Sequence, residues 1–315
     1  MPVAERAALA SRLSVGDLQL FRSLGVVPLL DSSARPSGLL SLEEALARGT
    51  TEVTEISESG SVPQLKLLNR GAEEIFLLDG EELAGAKQNR ILNLSILVPG
   101  QSELEIPVSC VERGRWSWRG RGFSGTERVV FSKLRRSNAE AVSHSLDRSG
   151  RRSGDQGAVW DSISAKSVRM AVHSDTGAAS ALYERYREDL DEFVAGIAPL
   201  PGQVGAAFLV NGRLAGLDVL AGPDLLAHLL PKLVRSYALD VIDEDEGEGG
   251  NAPTASSGMQ AVLVALESIA HLTPARHQAI GRGQDLRLRD NGLVGGALIA
   301  DGAIIHLGVW AAAYH

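Results

Sequence analysis

The chain is short of cysteine. Cys110 stands alone among 315 residues, so no intrachain disulfide forms and the cysteine-dense frameworks of small secreted domains are excluded. A thiol with nothing to pair with points to a reducing compartment. Long apolar runs are missing as well: the N-terminal MPVAERAALASRL mixes Glu5, Arg6 and Arg12 among short apolar residues and never builds the continuous apolar stretch of a signal peptide or a membrane helix. We therefore expect a soluble, cytoplasmic protein with no membrane partner. Several chemical signatures are also wanting. Gly80-Glu-Glu-Leu-Ala-Gly-Ala-Lys-Gln88 has the outline of a P-loop, but Ala86 is inserted before Lys87 and no Ser or Thr follows to bind magnesium. No G-x-G-x-x-G follows a strand and no nucleophile-elbow G-x-S-x-G occurs, while His271 and His277 lack acidic or thiol companions at ligand spacing. Neither a cofactor nor a metal is expected.

What is present is a real core and an uneven charge. With 44% hydrophobic and 22% charged residues, the chain can bury one large or two modest domains. Net charge is −8, yet Arg113 to Arg152 carries eleven Arg and Lys residues against Glu127, Glu140 and Asp147. Such asymmetry invites an anionic partner; a solvated basic surface is the plainer reading. The Arg/Gly/Ser-rich composition of 119–154 predicts an exposed, flexible loop.

Turn and periodicity signals lay out the rest. Val26-Val27-Pro28 reads as extended chain limited by proline to an edge or strand end. Ser41-Leu-Glu-Glu44 is a capping box opening a short helix that closes near Gly49. Strand-like runs follow at 51–57, 62–68 and 74–78. Residues 90–98 and 103–111 flank Pro99-Gly-Gln-Ser102 and predict an antiparallel hairpin. Helical spacing covers Trp160 to Met170 and Leu182 to Phe193. Asn211-Gly212 marks a hairpin between 203–210 and 213–220, because both central positions of a type I′ turn need positive φ. A Leu-rich helix at 224–241 should be kinked or split by Pro231. The acidic run Asp243 to Gly250 reads as a linker, and a further helix covers about Met259 to His271. Three last strands joined at Asn291-Gly292 and Asp301-Gly302 predict a meander. Strands, then helices, then hairpins without regular alternation give an α+β fold. It comprises a β-rich part (1–118), the basic loop (119–154) and an α+β C-terminal part (155–315) forming one compact unit with the first.

Chemistry concentrates between Asp79 and Trp116. Leu92, Leu94, Ile96 and Val98 share one strand face, and Leu104, Ile106, Val108 and Cys110 share another. Burying both together sets even-numbered residues opposite even-numbered ones. That register carries Gln88 and Arg90 to the same face as Cys110 and Glu112, so the core face turns polar at its open end. In a structural reading, Cys110 is a small core residue and Arg90 pairs with Glu112 to fix register. In a functional reading, Lys87, Gln88, Asn89, Arg90 and Arg115 line a site for an anionic or amide-bearing ligand, with Trp116 or Trp118 as a stacking surface. As candidate catalytic residues, Cys110 would need a lowered pKa from nearby arginines and a histidine (His144, His173 or His306) brought in by folding, and Glu112 would need an acid/base partner such as Asp175.

The run Asp79-Gly-Glu-Glu-Leu-Ala-Gly-Ala-Lys-Gln-Asn-Arg90, together with Pro107-Val-Ser-Cys-Val-Glu-Arg-Gly-Arg-Trp116, resembles the first of the ADP-ribosylglycohydrolase- and rhodanese-phosphatase-associated protein families. Gly216-Leu-Asp218 and Ile305-His-Leu307 are similar to it too, and the likeness covers most of the chain. The resemblance implies an accessory role in NAD and ADP-ribose metabolism, with a nucleotide-derived small molecule as partner. Two other classes stand beside it: an interaction module whose basic loop docks on an acidic protein or nucleic acid, and a hydrolase dependent on Cys110.

Overall fold

The computed structural model describes residues 12–245, 255–290 and 292–311. In chain order it begins with β1 (Ser14–Val15), β2 (Gln19–Phe21), β3 (Leu24–Leu30), β4 (Leu40–Ser41), α1 (Leu42–Ala47), β5 (Thr51–Glu55), β6 (Gln64–Asn69) and β7 (Ile75–Leu77). Next come β8 (Glu81–Gly85), β9 (Arg90–Leu92), β10 (Ile96–Val98), β11 (Ser102–Cys110), β12 (Phe123–Val129), α2 (Ser132–Ser149), α3 (Gln156–Arg169), α4 (Ser180–Arg185) and α5 (Arg187–Ala195). The chain ends in β13 (Gln203–Val210), β14 (Arg213–Leu220), α6 (Pro223–Asp245), α7 (Ala255–His271), β15 (Ala275–Gln278), β16 (Gln284–Asp290), β17 (Leu293–Ala300) and β18 (Ala303–Ala311). The fold is α+β, and among the described strands every pair is antiparallel apart from the short parallel β4–β7 pair.

Contacts divide the chain into two compact units. One comprises Met1–Gly38, Asp189–Gln278 and Gly283–His315; the other comprises Leu39–Glu188 and Ala279–Arg282. Segments 1–118 and 155–315 therefore each contribute to both.

The first unit is built on a nine-stranded sheet in the order β1-β3-β13-β14-β18-β17-β16-β15, with β2 also paired to β3. Its hairpins follow from turn chemistry. Asn211 and Gly212 sit at φ 50 and 74, so Val210 meets Arg213 across the reversal; Asp301 and Gly302 at φ 49 and 75 do the same for Ala300 and Ala303. Asn291 lies outside the described residues, as do Glu246–Gly250 of the acidic run, but Asp290 pairs with Leu293 across that turn. The expected meander is therefore β16-β17-β18. One sheet face buries Leu217, Val219, Leu307 and Val309 against Val262, Ala265 and Ile269 of α7. On the other, Tyr237 of α6 stacks on Phe208 at 4.0 Å between centroids. Pro28 lies inside β3, and its carbonyl accepts from Gly16 N, so the side lacking an N–H faces the short edge strands rather than β13. Pro231 does not split α6, which runs on through it. Leu229, Leu230, Leu233 and Val234 are buried around the proline, and their packing outweighs the one backbone bond it removes.

The second unit holds a six-stranded sheet, β12-β8-β9-β11-β6-β5, and a three-stranded one, β10-β7-β4. The capping box forms as expected: Ser41 accepts from Glu44 N and the Glu44 carboxylate from Ser41 N. The hairpin about Pro99 to Ser102 is corrected. Its register survives, with Cys110 opposite Arg90 and Val108 opposite Leu92, but residues 93–95 leave the sheet and β10 pairs with β7 instead. The reversal itself is anchored elsewhere. Gln101 N donates to Gly71 O at 2.8 Å, Asn69 Nδ2 donates to Pro99 O at 3.0 Å, and a Cβ on Gly100 would fall 2.2 Å from Ala72 O.

The basic stretch is a second correction. Residues read as a flexible loop form β12 and all of α2. Leu134, Val142 and Leu146 give α2 a buried face, and Gly150 caps its C-terminus at φ 67. Arginines that looked like free charge are paired: Arg128 with Glu82, Arg135 with Asp79, Arg136 with Glu140. Composition mistook charge-paired strand and helix for solvated loop. Arg119 and Arg121 do remain exposed outside any strand or helix. Brief trypsin digestion should cut within residues 113–152 at these two before any of Lys133 to Arg136; early cleavage inside α2 would show that it is not stably packed.

Candidate functional site

In the second unit, β8 and β9 are joined by Ala86 to Asn89, and β11 ends at Cys110 directly across from Arg90. The edge of β11 at Cys110 is held by a side chain acting as a strand. Gln156 of α3 accepts from Cys110 N at 2.7 Å and donates to Cys110 O at 2.8 Å. This end of the sheet thus stops at a fixed point, and the chain turns through Glu112 to Arg115.

Glu112 is buried and fully answered. Its Oε2 accepts from Asn89 N at 3.2 Å and Arg115 Nε at 2.8 Å, and its Oε1 from Thr176 Oγ1 at 3.0 Å. Burial alone pushes this carboxyl up; the Arg115 hydrogen bond, the Asn89 N–H, the Arg115 charge and Thr176 outweigh it and hold the group below its ordinary value. Arg115 directs its remaining donors to Ala86 O, Ser117 O, Gly85 O and Asn89 Oδ1. Asn89 in turn donates to Glu82, which pairs with Arg128. Glu112, Arg115 and Asn89 thus frame the connection with their own bonds. The expected Arg90–Glu112 pair is replaced by Arg115–Glu112, because three residues of tight turn return the guanidinium to its own carboxylate.

Arg90 has a different environment. Its NH1 donates to Gln88 Oε1 at 2.9 Å, while Gln88 Nε2 holds Glu112 O. Arg90 Nε and NH2 have no hydrogen-bond partner, and neither carboxylate oxygen of Glu55 has one. NH2 and Glu55 Oε1 stand 3.8 Å apart with both side chains buried, close enough for charge attraction and too far for a hydrogen bond. Burial lowers the Arg90 pKa; Cys110 and Glu55 beside it pull the other way. Over this pair lies Trp116, its ring 5.6 Å from the Arg90 guanidinium carbon. Lys87 Nζ sits between Trp116 and Trp118, at 5.2 and 5.0 Å from their rings, and donates to Ser59 O. Both indoles are about half exposed, 46% and 48%.

Cys110 is completely buried. Burial pushes its thiol up, against the Glu112 N–H and the Arg90 charge, so it carries the neutral, core form rather than a nucleophilic thiolate. His144 and His173 are exposed, His173 beside Asp175, and His306 bonds Asp218 in the first unit. All of Lys87, Gln88, Asn89, Arg90, Cys110, Glu112, Arg115 and Trp116 do gather at this one sheet end. Sequence reasoning missed Glu55. The signal was there: Thr51, Val53 and Glu55 point inward in β5, a period of two that places Glu55 on the buried face.

The architecture defines a two-unit α+β protein in which buried, hydrogen-bonded charges close one end of an antiparallel sheet beneath exposed tryptophans. Residues 12–310 match the family model described as the ARG and Rhodanese-Phosphatase-superfamily-associated Protein domain, ARPP-1, and the chain belongs to that family. No curated protein matches it. No solved structure does either. Among the described residues, no helix is long and apolar enough to cross a membrane.

Two outcomes follow from the two carboxylates. Arg90→Ala should destabilise by about 3 kcal/mol in urea unfolding by leaving Glu55 without its counter-charge, and Arg90→Met with Glu55→Leu should recover most of that; a double variant as weak as the single would mean the pair is not coupled. Glu112, with its folded pKa depressed, contributes stability above its ordinary value of 4.5 that is lost as pH falls through the folded value. Glu112→Gln should therefore be less stable than the unaltered chain at pH 7, with the gap closing as pH falls below 4.5 and through the folded value. A gap that widens on acidification would refute the depressed pKa.

Proposed function

We propose that the protein is an accessory binder of an NAD- or ADP-ribose-like ligand, taken at the Arg90–Glu55 pair under Trp116. One observation carries the reading: two buried, oppositely charged side chains retain two donor atoms and two acceptor oxygens with no hydrogen bond, directly beneath a half-exposed indole. Buried polar groups normally find partners, and leaving them unmet costs each its desolvation. A ligand bearing hydroxyls and phosphate oxygens offers both kinds of partner, and a nucleobase offers a flat face for Trp116 or Trp118. Lys87 adds positive charge beside the rings. The binding group is thus Arg90, Glu55, Lys87 and Trp116, with Gln88 fixing Arg90, while Asn89, Glu112 and Arg115 hold the frame. The family's description by association with the ARG and rhodanese-phosphatase superfamilies agrees with an accessory role.

Calorimetry and thermal shift with ADP-ribose, NAD and AMP test this. A ligand at a hundredfold its dissociation constant stabilises by about 2.7 kcal/mol, so ADP-ribose should raise Tm measurably and Trp116→Ala should abolish the rise without unfolding the chain. No shift with any of the three, or an undiminished shift in Trp116→Ala, overturns the proposal.

A further inference from the structure

The Gly216-Leu-Asp218 and Ile305-His-Leu307 segments take no part in the Arg90 site. Both lie in the first unit's sheet on the adjacent strands β14 and β18, where Asp218 is opposite Gly308 and Leu220 is opposite His306. That register brings Asp218 Oδ1 to 3.1 Å from His306 Nε2. Asp218 and His306 are both buried. Two glycines make room for them: a Cβ on Gly308 would stand 3.0 Å from His306 Cε1 and 3.5 Å from Asp218 Oδ1, and one on Gly216 only 2.5 Å from the Tyr237 hydroxyl. That hydroxyl, from α6, reaches Asp218 Oδ2 at 3.5 Å. It steadies the carboxylate with its other oxygen turned to the imidazole. Carboxylate, imidazole and phenol are thus placed together, with the Trp310 ring filling the space over Gly216 and Gly308 beside them.

We propose that Asp218 and His306 are two ligands of a divalent first-row transition-metal site, with the cation bridging Oδ1 and Nε2. A cation about 2.1 Å from each atom would see them at roughly 95°, given their 3.1 Å separation, near the cis angle of an octahedral site. One imidazole nitrogen with one carboxylate oxygen suits Mn2+, Fe2+ or Zn2+, whereas the all-oxygen preference of Ca2+ and Mg2+ does not match. Tyr237 then acts in the outer shell, orienting the carboxylate through its second oxygen. The same 3.1 Å fits a plain imidazole–carboxylate hydrogen bond, and a metal titration separates the two.

The experiment is Mn2+ titration of the full chain after chelator treatment, read by loss of the free-ion EPR signal, with pulsed EPR for nitrogen coupling on the bound ion. One equivalent should bind with an imidazole nitrogen coupling. Asp218→Asn and His306→Gln should each weaken binding at least about tenfold, as outer-shell changes alone cost about ten- to a hundredfold. Tyr237→Phe, which keeps the ring against Phe208, should weaken it less than either. His173→Gln, altering an exposed His–Asp pair, should leave it unchanged. No binding by the folded chain, bound Mn2+ without nitrogen coupling, or undiminished binding in folded His306→Gln overturns the site. Should the ligand variants fail to fold, coupling in the unaltered chain and the Tyr237→Phe affinity decide the matter.

Discussion

A carboxylate taken out of water has to be met by fixed donors, and the end of the β8-β9-β11 sheet is organised around two carboxylates that differ in this respect. Glu112 receives donors from Arg115, Asn89 and Thr176; Glu55 receives none. The first ties a strand end, a connection and a turn into one rigid frame, because each partner is itself bonded onward: Arg115 to backbone carbonyls on both sides, Asn89 to Glu82. The second faces Arg90 across 3.8 Å, with attraction but no hydrogen bond. Rigid frame beside unmet charge is what pre-organised binding sites are made of.

The backbone makes this arrangement possible. Arg90 is fixed opposite Cys110 by the ladder, Cys110 is fixed by the Gln156 amide, and the side chain of Cys110 fills core space without competing for Arg90. Trp116 and Trp118 then follow Arg115 on a turn whose shape Arg115 holds through Ser117 O and Ala86 O. The indoles are thereby carried to the surface over the charges rather than into the core. Sequence order, turn chemistry and electrostatics converge on one place.

How far this was legible depends on the range of the signal. Local chemistry read true: the Ser41 capping box, the Asn211-Gly212 and Asp301-Gly302 reversals, the even-with-even register at Arg90 and Cys110. The gathering of residues 87–90 with 110–116 followed from that register alone. What failed was long-range. Nothing between 90 and 111 announces that β10 will desert its neighbour for β7, since that choice is made by Gly71 and Ala72 holding the Pro99 turn. Arg128 of β12 and Arg135 of α2 resembled loop charge because their acidic partners, Glu82 and Asp79, lie 46 and 56 residues away in sequence. The Asp218–His306 pair was hidden for the same reason: 88 residues separate the two, and only folding brings them together.

The distinction between bonded and unbonded guanidinium nitrogens is the centre of this picture, and side-chain 1H–15N NMR of the arginine Nε groups addresses it directly. On addition of ADP-ribose, the Arg90 Nε resonance, which has no hydrogen-bond partner in the free protein, should shift and gain protection from exchange, while Arg115 Nε, already bonded to Glu112, stays in place. Saturating ligand that moves Arg115 and leaves Arg90 untouched, or moves neither, would contradict it.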